Sequence, residues 1–321
     1  MAARRIPGVA LMVIKDGTAI KTSSYGFANL ELGVPVATNS VFEIGSVTKS
    51  FTAASLLLLQ QDGKLAITDP ISKHLPGSPP GWTNITLRHL LTHTSGIRSY
   101  TGLDGFELTK HLTQAQFIAA VGSQKPDFAP GDAFKYSNSG YSLLGYVVEN
   151  VSGKSYWEFL RERILDPLGM SHTTDRDPRR VITNRVSGYE QTNRLHINRD
   201  YDLTDVFSAG AVVSTVGDLA RWNEALNSER LLSKESKNLM WSPAILNSGK
   251  VTNYGFGWFL ETTEGHRNVG HGGSTSGFSA TLQRFPGDGL TVILLTNTDE
   301  MLATSLARRI GMLHIRGSSG Q

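Results

Sequence analysis

Ser46 and Lys49 stand three residues apart at the start of a stretch that favours a helix. Residues 46–61 contain neither proline nor glycine and are rich in alanine and leucine, and Gly63 follows where a glycine often ends a helix. Residues three apart share a helix face. Because this helix is apolar all round, we expect it to be buried, and burial lowers the pKa of a lysine. Such a lysine can take a proton from a hydroxyl, so the S-x-x-K pattern predicts a serine nucleophile beside its base.

A structural interpretation of the same two residues stays open at this point. Ser46 could cap the N-terminus of the helix, and Lys49 could lie along the surface with its ammonium in water. Because S-x-x-K is short and occurs often by chance, the catalytic interpretation needs partners elsewhere in the chain.

Tyr136-Ser137-Asn138 is a second group of residues that could do chemistry, in a loop just before a predicted helix at 139–151. A phenol near an ammonium can be held partly as phenolate and can shuttle protons. An amide such as that of Asn138 can hold a substrate carbonyl. The alternative is that Tyr136 only packs and that Asn138 caps the next helix.

His271-Gly272-Gly273-Ser274 is a third group, within a glycine-rich, strand-like segment. Glycines let another backbone or a ligand approach closely along a strand edge. An exposed N–H on this edge could pair with the N–H of Ser46 as an oxyanion hole. The alternative is a glycine-rich turn between two strands.

The composition excludes several classes of function. The chain has 321 residues, a net charge of +3 and no cysteine, so disulfides and thiolate sites are excluded. Its positive charges are scattered, so no nucleic-acid partner is expected. No apolar run is long enough for a membrane span and no signal peptide is visible, which leaves the compartment open.

Two histidines have the spacing of helical zinc ligands, but the rest of a metal motif is missing. His89 and His93 are four residues apart, yet no glutamate follows His89 and no third ligand is evident. We therefore expect no metal and no cofactor, and we expect His93 to be a structural hydrogen-bonding residue. No G-x-S-x-G or phosphate-loop motif occurs either.

The predicted elements follow the order strands and helix, then helices, then strands and helix. Residues 9–14 and 18–25 predict a hairpin around Asp16-Gly17. The further helices are predicted at 86–94, 113–121, 139–151, 155–165 (ended by Asp166-Pro167), 215–226, 233–241 and 301–313, and the further strands at 207–214, 254–262, 267–270, 276–285 and 290–297.

Antiparallel hairpins clustered at both ends of the chain and flanked by helices favour an α+β fold. The simplest assembly pairs the N-terminal hairpin with the C-terminal strands in one sheet. We therefore expect a discontinuous sheet domain of residues 1–72 together with 205–321, and a mostly helical domain of residues 73–204 inserted into it. The active site is then expected in the cleft between them.

Together, the three motifs make the chain resemble the penicillin-binding-protein-like serine hydrolases, which include class C β-lactamases, D-specific peptidases and amidases, and carboxylesterases of β-lactamase fold. The resemblance spans almost the whole chain. It is carried by F-E-I-G-S-V-T-K at 42–49, L-L-T-H-T-S-G at 90–96, Pro-Gly at 130–131 before Tyr136, and H-G-G at 271–273. It implies the β-lactamase/transpeptidase-like fold, an antiparallel sheet with flanking helices plus an inserted, mostly helical domain.

The resemblance implies a catalytic role for three residues. Ser46 would be the acylated nucleophile, and Lys49 would activate it. Tyr136 would relay protons to the leaving group and later from water.

Four further residues would bind substrate or the oxyanion. Asn138 would hold the amide on the acyl side, and the backbone N–H groups of Ser46 and Ser274 would form the oxyanion hole. His271 and Gly273 would belong to the substrate-binding strand.

The chain departs from the family pattern at two points. His271 stands where β-lactamases of this type usually have the lysine of K-T-G, which weakens a dedicated β-lactamase assignment; histidine occurs there in D-peptidases and some esterases of the family. The family's usual helix before the first strand is also not seen, which would expose one face of the sheet.

We therefore expect a metal-free serine acyl hydrolase that acts through an acyl-enzyme. Its substrate would be a small ester, amide or peptide, such as a D-amino-acid peptide, with weak β-lactam hydrolysis as a further activity. The alternative is a catalytically weak protein that binds penicillin or cell-wall peptides. The sequence predicts no oligomeric state.

Overall fold

The strands of the largest sheet come from both ends of the chain. A computed structural model describes residues 6–103, 112–192, 195–199, 202–299 and 303–318. The sheet has seven strands in the order β3-β2-β1-β12-β11-β10-β9. These strands are β1 (Gly8–Lys15), β2 (Thr18–Asn29), β3 (Val34–Pro35), β9 (Phe259–Thr263), β10 (His266–Thr275), β11 (Phe278–Phe285) and β12 (Leu290–Thr296).

The predicted pairing of the N-terminal hairpin with the C-terminal strands is confirmed. β1 lies antiparallel to β12, with Val9 opposite Thr296 and Val13 opposite Val292. β12 continues antiparallel into β11, and β11 into β10. The α+β architecture expected from the sequence is therefore present.

Helices cover both faces of this sheet. On one face α9 (Ala303–Ser318) buries Ala307 and Met312 against Val9 and Leu11. On the other face α1 (Thr48–Gln61) and α7 (Val216–Asn227) pack in the main core. Along β2, beyond α9, Tyr25 and Phe27 stay exposed, so only part of the sheet lacks a cover.

α1 forms as its composition predicts and is the most deeply buried helix near the site. Every residue from 48 to 59 is buried. The helix ends at Gly63, whose φ of 70° is left-handed, and the N–H groups of Gly63 and Lys64 donate to the carbonyls of Gln60 and Leu59. This double hydrogen bond is the Schellman arrangement, in which glycine avoids the strain that a Cβ would cause.

Most of the other predicted helices are present, and four of them begin at a side-chain N-cap. Thr86, Thr113, Thr215 and Ser233 each accept a backbone N–H at the start of a helix. Five α-helices lie between α1 and α7 in the described residues: α2 (Leu87–Leu91), α3 (Gln114–Gly122), α4 (Asn138–Ser152), α5 (Tyr156–Leu160) and α6 (Asp166–Leu168). α8 (Lys234–Met240) follows α7.

Three predicted boundaries are wrong. The chain does not leave the helix at Asp166-Pro167: it continues through a π-turn (Arg161–Leu165) and α6, and it ends at Gly169 (φ 65°). Proline is tolerated there because it lies in the first turn of α6, where its missing N–H is not needed. Residues 204–209 form 3₁₀ turns on either side of a kink at Phe207 (φ 49°), so only Val212–Ser214 of the predicted 207–214 strand is extended. β9 begins at Phe259 instead of residue 254.

Two smaller sheets complete the fold. Val212–Ser214 (β8) lies between β4 (Phe42–Glu43) and β5 (Thr174–Asp175), so it fixes the residues just before Ser46. β6 (Gly188–Thr192) pairs with β7 (Leu195–Arg199). Among the described helices, none is long and apolar enough to cross a membrane. The division into domains 1–72 with 205–321 and 73–204 stays a prediction.

Candidate active site

The structure brings all three motifs together around Ser46. Ser46 lies in a 3₁₀ turn (Gly45–Val47) that leads directly into α1, and Lys49 is in the first turn of that helix. Tyr136 and Asn138 lie at the start of α4. His271, Gly273 and Ser274 follow one another along β10, and a single cavity is lined by all three together with Ser46 and Tyr136.

Lys49 is fully buried and is held by three uncharged acceptors. Its Nζ lies 3.0 Å from Ser46 Oγ, 2.7 Å from Asn138 Oδ1 and 2.7 Å from the carbonyl oxygen of Ala209. Burial disfavours the ammonium and holds the pKa of Lys49 well below its usual value. In its uncharged form the amine can donate to Asn138 and Ala209 and can accept the hydroxyl of Ser46 through its lone pair.

The two structural alternatives for this motif are therefore wrong. Ser46 makes no capping hydrogen bond, and the exposed fraction of Lys49 is 0%. Asn138 does not cap α4 either, since Ser137 is the N-cap and accepts the N–H of Gly140.

Two glycines let β10 approach the turn that carries Ser46. A Cβ on Gly273 would lie 1.9 Å from the carbonyl oxygen of Ile44 and 2.8 Å from the nitrogen of Ser46. A Cβ on Gly45, whose φ is 49°, would lie 2.6 Å from the nitrogen of Ser274. These close approaches bring the backbones of Ser46 and Ser274 together at the wall of the cavity. Two N–H donors near one another are what an oxyanion hole requires.

The phenol of Tyr136 is protonated at neutral pH, which corrects the expectation of a partial phenolate. Burial raises the pKa of Tyr136 above its usual value, although a hydrogen bond to Ser46 opposes the rise. The Nζ of Lys49 is 4.8 Å from the ring centroid, but the neutral amine supplies no charge to stabilise a phenolate. The phenol of Tyr136 can therefore donate a proton.

His93 supports the loop that carries Tyr136, as the expectation of a structural role suggested. Its Nδ1 accepts the N–H of Ser137 at 3.2 Å, and its carbonyl accepts the N–H of Lys135 at 3.0 Å. Its ring centroid lies 4.2 Å from that of Tyr136. His89 instead accepts the N–H of Thr86 at the start of α2, so the two histidines do not face one ion. The described residues contain no cluster of three potential metal ligands.

His271 is a buried neutral imidazole instead of a cation. Its Nδ1–H donates to the carbonyl of Gly272 at 2.5 Å, and its Nε2 accepts the hydroxyl of Tyr254 at 3.0 Å. Burial, which disfavours the imidazolium, lowers the pKa of His271 to about 3. The sequence does not predict Tyr254 as a partner of His271, because residues 254–262 are predicted to be a strand. The alternation of glycine with aromatic residues in this segment was the available signal.

A buried carboxyl also ties β10 to the strand before Ser46. Glu43 accepts the hydroxyl of Thr275 at 2.7 Å and Nε of Arg176 at 3.3 Å. Burial, which disfavours the carboxylate, outweighs these contacts and raises the pKa of Glu43 to about 7. Glu43 belongs to the sequence motif of Ser46, but nothing local in the sequence indicated its two distant partners.

The cavity at Ser46 has a volume of about 470 Å³ and extends beyond the predicted residues. From Ser46 and Tyr136 it passes Phe259 and reaches an ion pair between Glu261 of β9 and Arg308 of α9. Sequence reasoning missed this end, since it is formed by elements that are far apart in the chain.

Known proteins share the fold of this chain and are similar to it in sequence. The family model described as "Beta-lactamase" matches residues 1–314. Penicillin-binding protein 4* of Bacillus subtilis is 32% identical over 310 residues, which cover 90% of this chain and 68% of that protein. The chain spans between 62% and 68% of the length of the curated relatives that it matches first.

Two solved structures are similar over nearly their full length. The D-amino acid amidase of Ochrobactrum anthropi SV3, complexed with D-phenylalanine, has a TM-score of 0.84 and 26% identity, and the match covers 99% of this chain and 96% of that one. The D-stereospecific amidohydrolase of Streptomyces sp. has a TM-score of 0.81 and 29% identity, with 93% and 91% covered. The β-lactamase/transpeptidase-like fold expected from the sequence is thus confirmed.

Proposed function

Because the chain belongs to the beta-lactamase family of penicillin-binding-protein-like serine hydrolases, we propose that it hydrolyses small esters or amides through a covalent acyl-enzyme. The observation that carries the proposal is the buried amine of Lys49, held 3.0 Å from the hydroxyl of Ser46 by neutral partners only. An amine in that setting is a base at neutral pH.

Acylation starts when Lys49 takes the proton of Ser46 as Oγ bonds to the substrate carbonyl carbon. The negative charge that develops on the carbonyl oxygen is stabilised by the N–H groups of Ser46 and Ser274. Tyr136 gives its proton to the leaving group, the bond to that group breaks, and the proton held by Lys49 restores the phenol.

Deacylation repeats these steps with water. Tyr136 takes a proton from the water and passes its own proton to Lys49 as the water oxygen attacks the acyl carbon, and Lys49 then gives that proton to Oγ of Ser46 as the bond between Oγ and the acyl carbon breaks. The amide oxygen of Asn138 accepts a hydrogen bond from Lys49, so the NH₂ group of Asn138 is left to bind the acyl side of the substrate. The D-amino acid amidase and the D-stereospecific amidohydrolase support amides beside esters as the substrate class.

The test combines covalent labelling with turnover. We expect a fluorophosphonate to add to Ser46 in intact-protein mass spectrometry, and at least one of p-nitrophenyl butyrate, D-alanine p-nitroanilide and nitrocefin to be turned over. Ser46→Ala should lose both the adduct and the turnover. Ser55→Ala is the matched control, because Ser55 lies on the same helix and its hydroxyl only donates to the carbonyl of Phe51.

Full turnover by Ser46→Ala would contradict the proposal. A long-lived penicillin adduct on Ser46, with no turnover of any of the three substrates, would instead favour the alternative of a penicillin- or peptide-binding protein.

A further inference from the structure

The far end of the cavity at Ser46 is closed by a paired cation and anion. A guanidinium nitrogen of Arg308 contacts a carboxylate oxygen of Glu261, and Nε of Arg308 donates to Gln283 Oε1 at 3.2 Å. Both charged side chains are a little over a quarter exposed, so a bound molecule can reach them. Among the described residues that line the cavity, only these two carry a charge at neutral pH.

On the basis of the proposed function, we place the leaving group in this part of the cavity. Tyr136 gives the proton to the leaving group, so that group has to be beside the phenol. From Tyr136 the cavity continues past His271 and Phe259 toward Arg308.

Glycines let side chains of β11 and α9 lie directly against β10 in this part. A Cβ on Gly270 would lie 2.5 Å from the amide of Gln283, and a Cβ on Gly272 would lie 2.4 Å from the hydroxyl of Thr304. Gln283 and Thr304 therefore line the cavity beside β10, next to the Glu261–Arg308 pair.

A carboxylate on the leaving group finds no unopposed positive charge here. Its attraction to Arg308 is opposed by repulsion from Glu261, which lies against the same guanidinium. His271 gives no help, because it is a neutral imidazole whose Nε2 already accepts from Tyr254. A leaving group without charge suffers no such conflict and can still hydrogen-bond to Thr304, which lines the cavity.

We infer, on the basis of the proposed function, that the site selects substrates with an uncharged leaving group, such as the alcohol of an ester or the nitrogen of a simple amide. Glu261 is the residue that rejects a leaving group bearing a carboxylate. Glu261 acts through its charge on Arg308 and on the leaving group, and it takes no part in the bond-breaking steps.

Two aryl acetates that differ only in charge test this inference. 4-Acetoxybenzamide releases a neutral phenol, and 4-acetoxybenzoate releases a phenol that carries a carboxylate. We expect wild type to have the higher kcat/KM on the benzamide. In Glu261→Gln the guanidinium is no longer neutralised, so kcat/KM on the benzoate should rise about tenfold, the size of one gained charge-assisted hydrogen bond. The value for the benzamide should change less than about threefold.

Glu264→Gln is the matched control, since Glu264 pairs with Arg316 of the same helix outside the cavity. It should leave the ratio of the two substrates unchanged. Arg308→Gln leaves Glu261 unpaired and should lower the benzoate value further, which also provides a test if Glu261→Gln does not fold.

The outcomes separate the inference from the proposed function. If wild type hydrolyses neither acetate, nor any substrate of the labelling test, the hydrolase proposal fails. If wild type hydrolyses them but the ratio is the same in wild type, Glu261→Gln and Arg308→Gln, only the inference about the leaving group is overturned.

Discussion

Replacing Glu43 by glutamine should change how the stability of the protein depends on pH. Glu43 is 4% exposed, it lies three residues before Ser46, and it holds Thr275 at the end of β10. Glutamine keeps the size of the side chain and an oxygen that can accept the hydroxyl of Thr275, but it cannot ionise. Comparing the two proteins therefore isolates the titration of this one carboxyl.

The sign follows from the raised pKa. Burial lifts the pKa of Glu43 from 4.5 to about 7, so between these values the folded protein keeps a proton that the unfolded chain has lost. Stability from this group is therefore fully present below pH 4.5 and is lost as the pH rises to about 7. A pKa shift of one unit corresponds to about 1.4 kcal/mol, so the total loss of stability across this pH range is about 3 kcal/mol.

Urea unfolding of wild type and Glu43→Gln at a series of pH values measures this loss. The free energy of unfolding of wild type minus that of Glu43→Gln should fall by about 1.4 kcal/mol per pH unit in the middle of the window. Other titrating groups are common to both proteins and cancel in the difference. Glu229→Gln, on an exposed residue, gives the baseline for the same chemical exchange on the surface.

A difference that rises with pH would refute this reasoning. It would mean that the attraction of the Glu43 carboxylate to the positive charges of Arg176 and Arg185 outweighs the effect of burial. The carboxylate would then stabilise the fold at neutral pH. A flat difference would also contradict it, since it would mean that Glu43 has the same pKa in the folded and unfolded chains.

Two further substitutions test the geometry at Ser46. Lys49→Met keeps the apolar stem but removes the base, so the rate of ester hydrolysis should fall by about 10²–10⁴ with the circular dichroism spectrum unchanged; a loss smaller than about tenfold would contradict the role of the amine. Gly273→Ala places a methyl 1.9 Å from the carbonyl oxygen of Ile44. β10 and the turn that carries Ser46 must then move apart, so fluorophosphonate labelling of Ser46 should slow by at least about tenfold. Gly287→Ala is the control: its Cβ meets nothing within 4 Å, so this variant should be labelled at the normal rate.

The predicted site depended on features that are local in the chain. Ser46 and Lys49 share one helix turn, and the apolar stretch that follows them dictates that this turn is buried, so their contact and the direction of the pKa shift of Lys49 could both be predicted. Tyr136 and His271 needed the family resemblance, because no local rule brings a loop before α4 beside the strand β10.

Other contacts of the site could not be predicted because they depend on the tertiary fold. Ala209 holds Lys49 through a backbone carbonyl, an atom that every residue has and that therefore leaves no trace in the sequence. It lies in the 3₁₀ segment that was predicted to be a strand, where packing against α1 and α4 overrides the local preference for an extended chain. The partners of Glu43 and the Glu261–Arg308 pair likewise join elements distant in sequence.

Among the described residues, the amine of Lys49 has only uncharged oxygens within hydrogen-bond distance and no anion beside it. A carboxylate in place of the amide of Asn138 would stabilise the ammonium, raise the pKa of Lys49 and remove the base at neutral pH. The nearby carboxyl that the motif does contain, that of Glu43, is directed instead toward Thr275 and Arg176. The site thus gives up the stability that an ion pair with Lys49 could supply, and in exchange it keeps an uncharged amine in contact with the hydroxyl of Ser46.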